Sequence, residues 1–139
     1  MSDPLLIAEL RRDEGVVRHA YQDSLGYWTI GVGRLIDRRR SGGLSEDEID
    51  LLLANDVARV EAGLDARAPW WRGLDPVRRR VLANMAFNLG VEGLLGFRNT
   101  LRAVREARWD DAADGMLRSK WAGQVGARAT RLAAMMRDG

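Results

Sequence analysis

Cysteine is missing altogether from the 139 residues, and histidine occurs once, at His19. Without thiols there is no disulfide framework and no thiolate zinc site, and one imidazole cannot build a multi-histidine metal centre. The same shortage removes the common hydrolase nucleophiles, because His19 stands between Arg18 and Ala20 with no nucleophile-elbow motif in reach. Lysine is nearly absent as well: of 22 basic residues all but Lys120 are arginine, a bias that is mostly compositional. No apolar run approaches the roughly 20 residues that span a bilayer. The start Met1-Ser2-Asp3-Pro4 carries an acid where a secretory leader is basic. No internal repeat or low-complexity segment interrupts the chain. The expectation is a protein made in the cytoplasm, with no membrane segment and no call for a metal or organic cofactor.

What is present suits one compact domain: 46% hydrophobic residues, 30% charged, and a net charge of +2. That mild positive balance favours polyanions, an anionic cell wall or nucleic acid among them, without selecting one.

Asp3-Pro4 reads as an N-cap with proline at the first helical position. Leu6, Ile7 and Leu10 then recur at helical spacing until Gly15 stops the helix. From Val16 to Val32 the pattern turns to short β-prone pieces broken around Asp23-Ser24 and at Gly26, Gly31 and Gly33. A hairpin or three-stranded antiparallel meander is predicted there. The segment 37–43 is a charged, glycine-containing loop, and its Arg38-Arg39-Arg40 run reads as solvated surface. Ser45-Glu46-Asp47-Glu48 is a capping box that opens the most secure helix, with Ile49, Leu52, Leu53, Val57, Val60 and Leu64 as its stripe. Asp75-Pro76 opens another helix that Gly90 stops. Shorter helices are expected near 98–106, 109–118 and 126–137. Trp109 and Trp121 fall inside these helical patterns and read as packing residues, whereas Trp70-Trp71 after Pro69 is open between packing and sugar stacking.

The chemistry concentrates at the first helix end. Glu14 is followed nine positions later by Asp23, on the predicted hairpin, and then by Thr29. Taken singly, each has a bland reading: a solvated acid at a helix end, a turn residue, a β-branched strand residue. Together, two carboxylates on adjoining rigid elements are what glycosidic cleavage needs, one to protonate the leaving oxygen and one to serve water or the sugar cation.

The joint arrangement Glu14, Gly15, Tyr21, Asp23, Gly26, Tyr27, Thr29, Gly31 and Gly33 resembles the active-site segment of the phage T4-type lysozymes. The similarity continues in order through Leu35, the helix from Ser45, Asp75-Pro76-Val77-Arg78-Arg79, Asn84-Met85-Ala86-Phe87-Asn88, Gly96-Phe97-Arg98-Asn99-Thr100-Leu101, Arg108-Trp109-Asp110 and Ser119-Lys120-Trp121. It implies a mainly α, α+β fold in two lobes: a small antiparallel sheet in an N-terminal lobe of residues 12–44, a connecting helix over 45–65, and a helical lobe of 66–139 joined by 1–11. All of this makes one domain over 1–139, with a cleft between the lobes.

The resemblance also implies roles. Glu14 matches the general acid, Asp23 the carboxylate that assists the attacking water, and Thr29 the hydroxyl that helps hold it. Leu35, Phe87 and Thr100 match positions that contact the glycan, and Arg128 a supporting basic residue. The implied activity is N-acetylmuramidase cleavage of the β-1,4 bond between N-acetylmuramic acid and N-acetylglucosamine, with inversion. The implied setting is a monomeric phage or prophage endolysin that acts on bacterial peptidoglycan after holin-type release, with no specific nucleic acid partner. Two alternatives are a lysozyme-like domain turned glycan-binding or interaction module, and a lytic transglycosylase, which dispenses with the Asp and Thr. Arg34 stands where the T4 enzyme has histidine, so an ion pair there must be made differently.

Overall fold

The computed structural model describes residues 3–37 and 42–139. Its elements run α1 (Pro4–Glu14), β1 (Val17–Gln22), β2 (Trp28–Gly31), β3 (Arg34–Leu35), α2 (Glu46–Arg67), a 3-10 turn (Pro69–Gly73), α3 (Pro76–Leu89), α4 (Val91–Leu95), α5 (Arg98–Arg105), α6 (Trp109–Leu117), α7 (Lys120–Val125) and α8 (Ala127–Asp138). The result is a mainly α, lysozyme-like α+β fold. The chain forms two compact units, Met1–Leu51 and Leu52–Gly139.

In the first unit the helix signals act as the residue types dictate. The Asp3 carboxylate accepts from Leu5 N, and Pro4 spends no donor at the first helical position. Gly15, at φ +78°, takes the left-handed conformation that ends α1 directly after Glu14. The three strands form an antiparallel sheet in the order β1-β2-β3. Tyr21 faces Thr29 and Gln22 faces Trp28 across the first pair, with an irregularity between Val17 and Tyr21. In the second pair Thr29 faces Leu35 and Ile30 faces Arg34. The capping box is made as expected: Ser45 N donates to Glu48 Oε1 at 2.9 Å, and Glu48 N donates to Ser45 Oγ. Arg34 completes it, donating to Glu48 Oε1 at 2.8 Å and to the Gly43 carbonyl at 3.2 Å, which is how the ion pair at this position is remade. The Arg38–Arg40 run lies outside the described residues.

The second unit holds the core. Leu64, Val81, Leu82, Met85, Met116 and Met136 from α2, α3, α6 and α8 are at most 1% exposed. Truncating a side chain in such a site, Met116→Ala for example, typically costs about 2–5 kcal/mol. Of the α2 stripe, Leu64 is buried and Val60 partly buried, while Ile49, Leu52, Leu53 and Val57 are exposed. Trp121 is buried, gives its indole N–H to Asn88 Oδ1 at 2.8 Å, and meets the Phe97 ring edge-on, so its role is packing. Trp109 packs under the Arg78 guanidinium, 3.7 Å from the ring centroid. Trp71 is buried with its N–H on Asp65, whereas Trp70 is only partly covered.

Candidate active site

Glu14 is the last residue of α1 and its side chain is exposed. The stop at Gly15 frees the chain to turn straight into β1, and the turn between β2 and β3 brings Gly33 back against it. A methyl group on Gly33 would stand 2.7 Å from Glu14 Oε2 and 2.9 Å from Glu14 Cδ, distances real carbon atoms do not adopt. With φ at +65°, Gly33 is also in a region that side chains avoid. The carboxylate is therefore seated on bare backbone at the β2–β3 turn.

Asp23 occupies the other turn of the sheet. Its Oδ1 accepts from Leu25 N at 2.9 Å and Tyr27 N at 2.8 Å, while its own N–H donates to the Tyr27 carbonyl at 2.9 Å. Oδ1 is thus spent on building the turn, and Oδ2 makes no bond to the described residues. Thr29 is 3% exposed, and its hydroxyl donates to the same Tyr27 carbonyl at 3.0 Å. With the one hydroxyl proton committed, Oγ1 has only acceptor lone pairs left to offer. Leu35 lies opposite Thr29 in the sheet. Asp23, Thr29 and Leu35 thus share one end of a small sheet, and Glu14 is placed by its β2–β3 turn.

The remaining positions lie in the second unit. Phe87 is an exposed residue of α3. Thr100, in the first turn of α5, is 8% exposed, with its hydroxyl packed against Gly115 of α6. It also lines a cavity of about 610 Å³ with Leu89, Phe97 and Trp121. Arg128 of α8 donates through Nε and Nη2 to Asn84 Oδ1, at 3.0 and 2.7 Å. Sequence reasoning missed the Tyr27 backbone as the shared anchor of Asp23 and Thr29. The signal was the spacing: Tyr27 lies four residues after one and two before the other, the reach of a turn-forming carboxylate and of a local hydroxyl bond.

Among the described residues no cluster of three or more His, Asp or Glu is arranged to hold a metal, and no helix is long and apolar enough to cross a membrane.

The family described as phage lysozyme matches residues 11–136. Probable T4-type lysozymes 1 and 2 of Dictyostelium discoideum are 26% and 24% identical to the chain, each aligned over 94% of it and 92% of the relative. The pre-baseplate central spike protein Gp5 of Enterobacteria phage T4 is 28% identical over 94% of this chain, which spans 27% of that protein's length. The chain belongs to the phage lysozyme family. At the level of that family, membership supports peptidoglycan hydrolysis by a glycoside hydrolase.

Proposed function

We propose that the protein is an N-acetylmuramidase that cleaves the β-1,4 bond between N-acetylmuramic acid and N-acetylglucosamine with inversion. The observation that carries this reading is one small sheet that seats Glu14 on Gly33 at its β2–β3 turn and anchors Asp23 and Thr29 on Tyr27 at its other end. Glu14 is the general acid: its protonated carboxyl gives its proton to the glycosidic oxygen as the bond to the anomeric carbon breaks. A water on the opposite face of the sugar is the nucleophile. It donates one hydrogen bond to Asp23 and one to Thr29, both restricted to accepting, so its lone pair is aimed at the anomeric carbon. Asp23 removes the proton as the new bond forms. Inversion requires the two carboxyl groups about 6.5–9.5 Å apart, with room for that water. In this reading Leu35, Phe87 and Thr100 are glycan-contacting residues and Arg128 is a supporting basic residue. The setting this reading implies is an endolysin released to the wall by a holin.

Muropeptide analysis of purified peptidoglycan tests the reading. Reducing N-acetylmuramic acid ends, first released in the inverted anomer, are expected; 1,6-anhydro ends would replace it with the transglycosylase reading. Folded Glu14→Gln keeps the shape without the proton and should lose about 10²–10⁴-fold in turnover. Asp23→Asn should lose more than Thr29→Ala. Lysis by Glu14→Gln at the parent rate, with native circular dichroism, would overturn the assignment.

A further inference from the structure

Half of the second unit's fourteen arginines face a carboxylate, among them Arg59 with Asp56, Arg67 with Glu92, Arg72 with Glu61 and Asp65, Arg108 with Glu106 and Asp111, and Arg137 with Asp110 and Asp114. Helix α5 gathers three of the arginines that do not. It buries Leu101, Ala103 and Val104 on one face and presents Arg98, Arg102 and Arg105 on the other, at helical spacing. Among the described residues none of the three meets an acid. Arg105 instead lies over the Trp70 ring, 5.4 Å from its centroid, so the half-covered indole holds that guanidinium in place. Glu106, the acid that lines the same groove as these arginines, is paired with Arg108 at 2.9 Å.

These groups line one groove of about 670 Å³, with Arg67 and Trp70 facing α5. The stripe from Arg98 to Arg105 is about 10 Å long at 1.5 Å per residue, room for more than one charge of a linear polyanion. Guanidinium forks suit phosphate oxygens, which they grip two at a time, and arginine is less strongly hydrated than lysine. We propose that the groove binds a phosphodiester-linked wall polymer of the polyol-phosphate type, which anchors the enzyme beside its glycan. The inference rests on the reading of the chain as a wall hydrolase. That reading selects a wall polymer over nucleic acid, and the groove shows no row of exposed aromatic rings on which bases could stack.

The test is titration of fluorescein-labelled poly(glycerol phosphate) with the full chain, across a salt series. The triple variant Arg98→Gln/Arg102→Gln/Arg105→Gln should bind at least about 10-fold more weakly, with a salt slope lower by about one per arginine removed. The control Arg11→Gln/Arg80→Gln/Arg131→Gln makes the same charge change on exposed residues elsewhere and should keep most of the affinity. Equal loss in the two triples would reduce the effect to net charge and overturn the site. Tighter binding of single-stranded DNA of matched phosphate number, lost in the groove variant, would make this a nucleic acid site instead. If the groove triple does not fold, single Arg98→Gln and Arg102→Gln variants carry the same comparison. Muropeptide release from peptidoglycan stripped of phosphate polymer should be the same for parent and groove variant. Release by neither would end the hydrolase reading, while the polymer titration would still decide the groove.

Discussion

Gly33 leaves no room for a side chain unless the Glu14 carboxylate moves. Any side chain there meets Glu14 at its Oε2 and Cδ atoms and also takes on the strain of φ +65°. The backbone cost for a non-glycine residue in this region is roughly 1–2 kcal/mol, which a folded domain can survive. The displaced carboxylate is the larger consequence, since general acid catalysis depends on hydrogen-bond reach. Gly33→Ala is therefore expected to melt a few degrees early and to lose about 10-fold or more in kcat. Peptidoglycan turnover beside a thermal melt checks it, and a parent-like kcat would show that Glu14 does not need its seat. Thr29 gives a complementary case, because its hydroxyl serves as donor to Tyr27 and as acceptor to the proposed water. Thr29→Ser should keep most activity, while Thr29→Val, equal in shape, should lose it. Equal rates in these two variants would remove the hydroxyl from the mechanism.

The capping box of α2 has an outside partner in Arg34. Its guanidinium, with the Ser45 amide and hydroxyl, holds the Glu48 carboxyl at about 2, well below the usual 4.5. A folded value below the unfolded one means the tie stabilises fully above about pH 4.5 and is lost as pH falls toward 2. Glu48→Gln should therefore flatten the acid limb of stability between those limits, and the difference from the parent should shrink in high salt because the pair is exposed. Thermal melts at a series of pH values measure it; identical slopes would mean that the tie does not couple to folding. The cap itself was legible, since Ser45 and Glu48 are three residues apart and local geometry decides their bond. Asp3-Pro4 and Asp75-Pro76 were legible for the same reason, and both carboxylates accept helix-start amides. Arg34 was visible only as a departure, because its partner lies fourteen residues away. Gly33 was likewise legible as part of a motif but not as the seat of Glu14, since that contact depends on where two turns return the chain.

Burial is divided unequally along the molecule, and that division bears on where motion is cheap. Among the described residues of the unit Met1–Leu51 only Thr29 is buried, whereas Leu52–Gly139 encloses a continuous core from Leu64 to Met136. Apolar burial is the main favourable term in folding, at roughly 25 cal/mol per Å². Local opening of the sheet should thus cost much less than opening α3 or α6. Native-state hydrogen exchange is expected to show β1 and β2 amides exchanging through low-energy openings, while amides of α3 and α6 exchange only near the global unfolding energy. The candidate catalytic residues lie on the less protected side, so a bound glycan has most to stabilise there. With a non-cleavable chitooligosaccharide at 100 times its Kd, binding adds about 2.7 kcal/mol to any opening that releases it. That increment should appear in amides over 17–35, where openings are otherwise shallow, if the sheet carries the site. Protection raised only over α5 and α6, with the sheet unchanged, would place glycan binding elsewhere and separate it from Glu14 and Asp23.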